Sequence, residues 1–249
     1  MKLRHRSVLV AGGLLTAVLP LGSPFAIAAT SPTLPPVDLA ATQAAPLAAE
    51  TTVASIKAGS ISIYQAASTA GKSKVLTSGK EIKGRVVFQV IERQGAWFKV
   101  KVPARPNGAV GFVRATDVDT YTHPYNIVIE LKARRLHLFK AGALLSSVPV
   151  AVGTAKTPTP QGKFFTADLI RPTQGPNGPY GPYAYGISGF SATIFKFGAG
   201  GDGRVGIHGT NQPGLIGQAV TNGCIRMTND NILKLRGILP LGVPVEIRI

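Results

Sequence analysis

The chain has 249 residues, 45% of them hydrophobic and 15% charged, with a formal net charge of +16; that apolar share can bury a core and argues against a wholly disordered chain. Its 29 Gly and 19 Pro disfavour long uninterrupted helices and favour short strands joined by turns. A single cysteine and four histidines exclude an internal disulfide framework, a four-cysteine zinc site and an iron–sulfur cluster, and leave little for any metal site.

In chain order, residues 1–29 have the three parts of a secretory signal. Lys2, Arg4 and Arg6 form a basic head, Val8 to Leu19 is an apolar run, and Ala26-Ile27-Ala28 is a small-x-small cleavage site. The rival reading is an uncleaved anchor, but a spanning helix needs about 20 apolar residues and this run is shorter. A membrane contact is therefore expected only if the signal stays uncleaved. A lipid anchor would need a cysteine just after the run, and the one cysteine is Cys224. The expected location is secreted, in the cell wall or a periplasm-like space. The basic excess suits an anionic wall or membrane surface as well as plain solubility. The basic residues are scattered and no nucleic-acid motif is present, so no nucleic-acid partner is expected.

Residues 30–54 are rich in Ala, Pro and Thr without apolar periodicity and read as a solvated linker. Residues 55–121 read as a small β module. Strands are expected at Ser60–Tyr64, Val86–Ile91, Trp97–Val102 and Gly111–Arg114, the last after the Pro106-Asn107-Gly108 turn. The stretch "WFKVKVPARPNGAVGFVRATDV" resembles bacterial SH3-like modules, which implies wall binding or positioning; a structural spacer is the alternative.

Residues 123–249 form a second, mainly β module. Strands are expected at Tyr125–Leu131, Arg135–Lys140, Leu144–Val152, Lys163–Ile170, Tyr183–Ile187, Ala192–Phe197, Val205–His208 and Val243–Ile249. One helix is expected after Thr228, which can cap it, with Ile232, Leu233, Leu235 and Ile238 as its apolar face and Gly237 and Pro240 at its end.

Outside the cytoplasm an unpaired thiol is exposed to oxidation, so Cys224 is either buried as a small hydrophobe, paired between chains, or catalytic. Cysteine catalysis needs a thiolate, a base and oxyanion donors. His208, sixteen residues before Cys224 and at a strand end, is the candidate base. Gly223 permits a tight turn. The amides of Asn222, Gly223 and Cys224 are candidate oxyanion donors. Arg226 either supports the loop or holds a substrate carboxylate. The carbonyl of Gly209 is the candidate acceptor for the other imidazole N–H, with Asp202 the alternative, though its Gly-rich surroundings suit a turn residue. Thr210, Asn211 and Thr221 either line the site or satisfy loop backbone. Tyr180, Tyr183, Tyr185 and Phe190 are either a lid, with Tyr185 touching substrate, or residues packed on the sheet. His123 reads as part of the linker between modules and His137 as structural.

The segments Val152-Gly153-Thr154, "TPTPQGKF", "GPYAYGIS" and "RVGIHGTNQPGLIGQAVTNGCIRM" resemble the L,D-transpeptidase (YkuD) catalytic domain of bacterial peptidoglycan synthesis. The likeness runs over most of residues 125–249. It implies a β-rich catalytic domain with one or two short helices, following the small SH3-like barrel. It implies that Cys224 is the nucleophile, His208 the base, Gly209 the orienting carbonyl and Arg226 a buttress, with the oxyanion hole at the Cys224 amide region. It further implies an acyl-enzyme thioester, release of D-Ala from tetrapeptide stems and 3→3 cross-links. Peptidoglycan stem peptides are then the substrates and β-lactams of the carbapenem type covalent inhibitors, with no metal and no cofactor. Water as acceptor would instead give an L,D-carboxypeptidase. Many relatives carry a second histidine where this chain has Asn222, so no role of that histidine carries over. A sortase would want its His and Cys further apart, and a papain-like hydrolase would reverse their order. A wall-binding protein without transfer activity is the remaining alternative.

Overall fold

A computed structural model of the chain describes residues 50–71, 73–78, 84–197 and 201–249. The expected signal segment and most of the expected linker lie outside the described residues.

The first sheet contains β1 (Thr51–Ile56), β2 (Ser60–Tyr64), β3 (Ser73–Thr77), β4 (Val87–Gln94), β5 (Trp97–Lys101), β6 (Val110–Arg114) and β7 (Val118–His123). They pair antiparallel in the order β3-β2-β6-β5-β4-β1-β7. Alternate residues turn inward, as a two-residue period requires: Ile61 and Ile63 of β2, Phe98 and Val100 of β5 and Val113 of β6 meet in one buried cluster. The linker expectation ends too late. Thr51–Ile56 is strand, with Val53 and Ala54 fully buried. Its Thr- and Ala-rich sequence looks solvated, but long-range pairing to β4 and β7 on either side makes it an interior strand. His123, expected in a linker, is the last residue of β7, pairs with Thr51 and is buried.

The remaining elements are β8 (Tyr125–Glu130), β9 (Arg135–Lys140), β10 (Ala143–Pro149), β11 (Val152–Gly153), β12 (Gly162–Ile170), β13 (Ala184–Phe190), β14 (Arg204–His208), β15 (Ala219–Thr221), β16 (Ile225–Arg226), helix α1 (Asn229–Ile238) and β17 (Pro244–Arg248). Eight of these strands form a second sheet in the order β10-β9-β8-β17-β12-β13-β14-β16, and β11 pairs separately with β15. Two junctions are parallel, β17 with β8 and β14 with β16. The core under this sheet gathers Ile127, Leu138, Ile187, Ile207, Ile225 and Val245 with Ile232 and Leu235 of the helix. Thr228 caps α1 as expected, its hydroxyl accepting from the Asn231 amide at 3.3 Å. The helix face is narrower than expected, because Leu233 and Ile238 are exposed.

The chain is mainly β, as the sequence predicts. The expected strand at Ala192–Phe197 does not form. The Ser191 hydroxyl accepts from the amides of Thr193 (3.3 Å) and Ile194 (3.0 Å), drawing the backbone into a turn, a local competition with sheet pairing that serine is suited to. A third cluster of Val53, Val87, Phe165 and Ala167 joins the two sheets, and the Tyr121 phenol donates to the Leu241 carbonyl at 3.0 Å.

Candidate active site

Strands β14 and β16 run parallel with Ile207 beside Ile225 and His208 beside Arg226. Paired residues of a parallel ladder share a face, and alternate residues swap faces. Ile207 and Ile225 point into the core, so Gly206, His208 and Arg226 belong to the opposite face, with Cys224 one residue ahead of β16. Gly206 lies at the level of Cys224 and has no side chain to fill the space above it. Cys224, Gly206 and His208 all line one cavity of about 740 Å³.

The Cys224 loop is held from inside and behind. The buried Thr221 hydroxyl accepts from the Gly223 amide at 3.1 Å and donates to the Cys224 carbonyl at 2.6 Å. Gly223 has φ +105°, in the left-handed region that side chains disfavour. Behind the loop, the Thr221 carbonyl accepts from the Thr157 hydroxyl at 3.0 Å and the Thr154 amide at 3.1 Å. Thr157 is tied in turn to the Thr154 hydroxyl at 2.9 Å, and the Thr159 hydroxyl accepts from the Gly153 amide at 2.9 Å. The Thr- and Pro-rich segment picked out in the sequence is therefore the brace of the cysteine loop.

The His208 Nδ1 lies 2.6 Å from the Gly209 carbonyl. A carbonyl only accepts, so Nδ1 carries the proton and Nε2 keeps its lone pair. Burial, partly offset by that hydrogen bond and reinforced by the nearby Arg226 charge, lowers the His208 pKa to about 4. Burial also pushes the Cys224 thiol above its ordinary value, against the pull of a Gly206 backbone hydrogen bond and of Arg226. Both shifts favour the neutral forms, thiol at Cys224 and imidazole at His208.

The other expected residues divide. The Arg226 backbone pairs in both directions with Ala151 (2.8 and 2.9 Å), and its Nη1 donates to Gln212 at 3.3 Å; this suits a buttress, and Arg226 is not part of the cavity lining. The Gly223 amide is taken by Thr221 within the loop, which corrects its expected place among the oxyanion donors and leaves the amides of Asn222 and Cys224. The Asn222 residue itself is exposed. Thr210 is buried and outside the cavity lining; its hydroxyl accepts from the Gln212 amide at 3.0 Å and so satisfies loop backbone. Tyr185 borders the cavity, while its phenol donates to the Leu239 carbonyl at 3.1 Å inside the core, so its hydroxyl is turned away from the cavity. Phe190 is buried, and Tyr183 packs under Arg236. Tyr180 alone of the four aromatics meets the His208 ring, edge-on at 5.0 Å. Asp202 accepts from the Arg204 amide at 3.0 Å as a turn residue. His137 sits 3.4 Å from Glu130 in the β8–β9 hairpin.

Two features escaped the sequence reading. The Asn229 side chain accepts from the Thr210 amide at 2.9 Å and donates to the Pro176 carbonyl at 3.0 Å, tying the loop after His208 to the 171–183 segment. Gly181 and Gly209 pack so closely against this amide that an added Cβ on either would strike its oxygen. Buried Asp168, which accepts from the Gly186 amide at 3.0 Å, lines the cavity beside Arg204. Sequence gave no signal for either, because both roles depend on partners far along the chain. Among the described residues no three His, Cys, Asp or Glu side chains gather as metal ligands.

The family model for the YkuD L,D-transpeptidase catalytic domain matches residues 124–247. The chain is 38% identical over 129 residues to the YkuD protein of Bacillus subtilis, a stretch covering 52% of this chain and 69% of that one. The Bacillus licheniformis YkuD protein is 38% identical over 126 residues, covering 51% and 67% respectively. Among solved structures, an L,D-transpeptidase from Mycobacterium smegmatis aligns with a TM-score of 0.41 and 17% identity, covering 65% of this chain and 82% of its own. L,D-transpeptidase 3 from Mycobacterium tuberculosis, solved with a faropenem-derived adduct, aligns with a TM-score of 0.41 and 15% identity, covering 56% and 67%. With more than two thirds of the Bacillus proteins' length matched at this identity, the chain belongs to the L,D-transpeptidase (YkuD) family.

Proposed function

We propose that the chain is an exported peptidoglycan L,D-transpeptidase that makes 3→3 cross-links through a thioester on Cys224. The observation that carries this is the shared face of β14 and the cysteine loop, where Cys224 and His208 open on one cavity across side-chain-free Gly206. In the first step the sulfur attacks the carbonyl of the third stem residue while His208 Nε2 takes the thiol proton. The developing oxyanion is met by loop amides, those of Asn222 and Cys224 being the remaining donors. The C–N bond to D-Ala breaks, and the imidazolium returns its proton to the departing amine. In the second step the side-chain amine of a neighbouring stem attacks the thioester. Its proton passes through His208, and the sulfur leaves as the thiol. No metal or organic cofactor enters this scheme. The same acylation predicts capture of carbapenem-type β-lactams by Cys224, with ring opening in place of D-Ala release. The strongly basic chain and its N-terminal segment fit action at an anionic wall outside the cytoplasm, with an SH3-like N-terminal module.

The test is mass spectrometry of products from disaccharide-tetrapeptides incubated with the full chain and with Cys224→Ala. The expected result is D-Ala release and 3→3 dimers with the wild type, together with a carbapenem adduct on the cysteine-bearing peptide. All three disappear in the variant. Tripeptides without dimers would replace transfer by hydrolysis, and products from the Cys224→Ala chain would overturn the mechanism.

A further inference from the structure

One wall of the cavity is fastened from outside the catalytic sheet. Between β13 and β14 the backbone passes through the Ser191 turn, and Phe197 and Asp202, beyond that turn, line the cavity. Its carbonyls are held by the loop between β5 and β6, more than eighty residues earlier. Arg105 donates from Nη1 to the Ser191 carbonyl at 3.0 Å and from Nη2 to the Ile194 carbonyl at 3.3 Å. Its guanidinium also lies over the rings of Phe190 (4.9 Å) and Phe195 (4.7 Å). Asn107 donates to the Phe190 carbonyl at 2.9 Å and accepts from the Phe190 amide at 2.8 Å. A single amide side chain thus pairs with the backbone as a neighbouring strand would. An added Cβ on Gly203 would stand 2.6 Å from Arg105 Nη2, so the guanidinium runs tight against this backbone.

These groups are chosen for geometry rather than charge. A guanidinium offers several donors in a fixed plane that can also stack on aromatic rings, which an ammonium cannot do. The two sheets are already joined elsewhere, by the cluster around Phe165 and by Tyr121 with Leu241. Arg105 and Asn107 reach instead to the backbone that leads into the cavity wall.

The geometry points to a role for the N-terminal sheet inside the active site. Arg105 and Asn107 are positioning residues that fix the 190–194 backbone, which carries Phe197 to the cavity, and with it the seat of the donor stem. This rests on the transpeptidase reading above. It separates the module from both a spacer and a wall tether, neither of which needs contacts with the backbone that leads to the cavity.

The test compares the full chain with Arg105→Ala, Arg105→Lys and Asn107→Ala. Amide hydrogen exchange at 191–197 should quicken by about tenfold or more while Thr221–Met227 is unchanged. The KM for a disaccharide-tetrapeptide donor should rise by between about tenfold and a hundredfold, the scale of a small misplacement of bound substrate, with kcat and the iodoacetamide rate at Cys224 unchanged. Arg105→Lys should behave like Arg105→Ala, since it keeps the charge and loses the fork. Unchanged exchange at 191–197 overturns the inference, as does a loosened wall with unmoved KM. A fall in apparent kcat with KM unmoved, and alkylation at Cys224 that quickens in step with the unfolded fraction, also overturns it by making the contact merely structural. A wild-type chain without transfer activity would sink the transpeptidase reading, and the exchange comparison would still decide whether Arg105 fixes the wall.

Discussion

At Cys224 and His208 burial acts on both partners in opposite directions, and this shapes how each responds to pH. The unfolded chain protonates His208 near its ordinary value of 6.5, whereas the folded chain resists protonation until about pH 4. Between those values the unfolded state binds more protons, so stability rises with pH there. It is highest above the window, falls as pH drops through it and levels off below pH 4. At about 1.4 kcal/mol per unit, the His208 contribution is about 3 kcal/mol of destabilisation by acid. Burial lowers His123 and His137 too, so the measurement is a difference: the urea-unfolding free energy of His208→Asn should fall less steeply between pH 7 and pH 4 than that of the wild type. Equal slopes would contradict the burial of a neutral imidazole. The thiol gives the complementary reading. With its pKa raised, iodoacetamide should alkylate Cys224 slowly at neutral pH and ever faster into the alkaline range. A rate plateau on the acid side would instead reveal a resting thiolate–imidazolium pair.

The cysteine loop is held by hydroxyls, which makes it sensitive to a change that barely alters volume. Thr221→Val removes the acceptor of the Gly223 amide and the donor to the Cys224 carbonyl. Leaving such buried groups without partners costs about 1–3 kcal/mol. The expected outcome is a lower melting temperature and a fall in kcat of about a hundredfold as the sulfur shifts from its seat; thermal melts and donor turnover check both. A Thr221→Ser chain, which keeps the hydroxyl, should retain most activity. Much of this region is legible in the sequence because its contacts are local: His208 meets the carbonyl of the next residue, and Thr221 meets Gly223 and Cys224 within three residues. Strands such as Ser60–Tyr64 and Arg135–Lys140 were legible because alternation is a local signal. Thr51–Ile56 was not, since its burial comes from partners in β4 and β7. The strand expected at 192–197 failed for the same reason in reverse. Its apolar alternation is overruled by the Ser191 hydroxyl and by Arg105, neither of which a local pattern reveals.

On the scale of the molecule, two sheets with separate cores share a third patch that belongs to neither. Phe165 and Ala167 leave the catalytic sheet on the side of β12 that meets Val53 of β1 and Val87 of β4, and all four are buried. Gly242, at φ +81°, brings the turn before β17 against the Val53 side chain with no room for a Cβ. Cutting the chain between β7 and β8 would expose this patch and remove the Tyr121 donor from the Leu241 carbonyl. Uncovering a large apolar side chain forfeits about 1.5–3 kcal/mol, a substantial fraction of the marginal stability of a domain. The fragment 124–249 should therefore melt well below the full chain and associate at concentrations where the full chain stays monodisperse. Charge placed at Phe165 in the full chain, as Phe165→Glu, should lower stability by a similar route without touching Cys224. Calorimetry and light scattering on the three proteins decide it: a fragment as stable and soluble as the full chain would mean that the shared patch contributes nothing and that the two sheets are independent bodies.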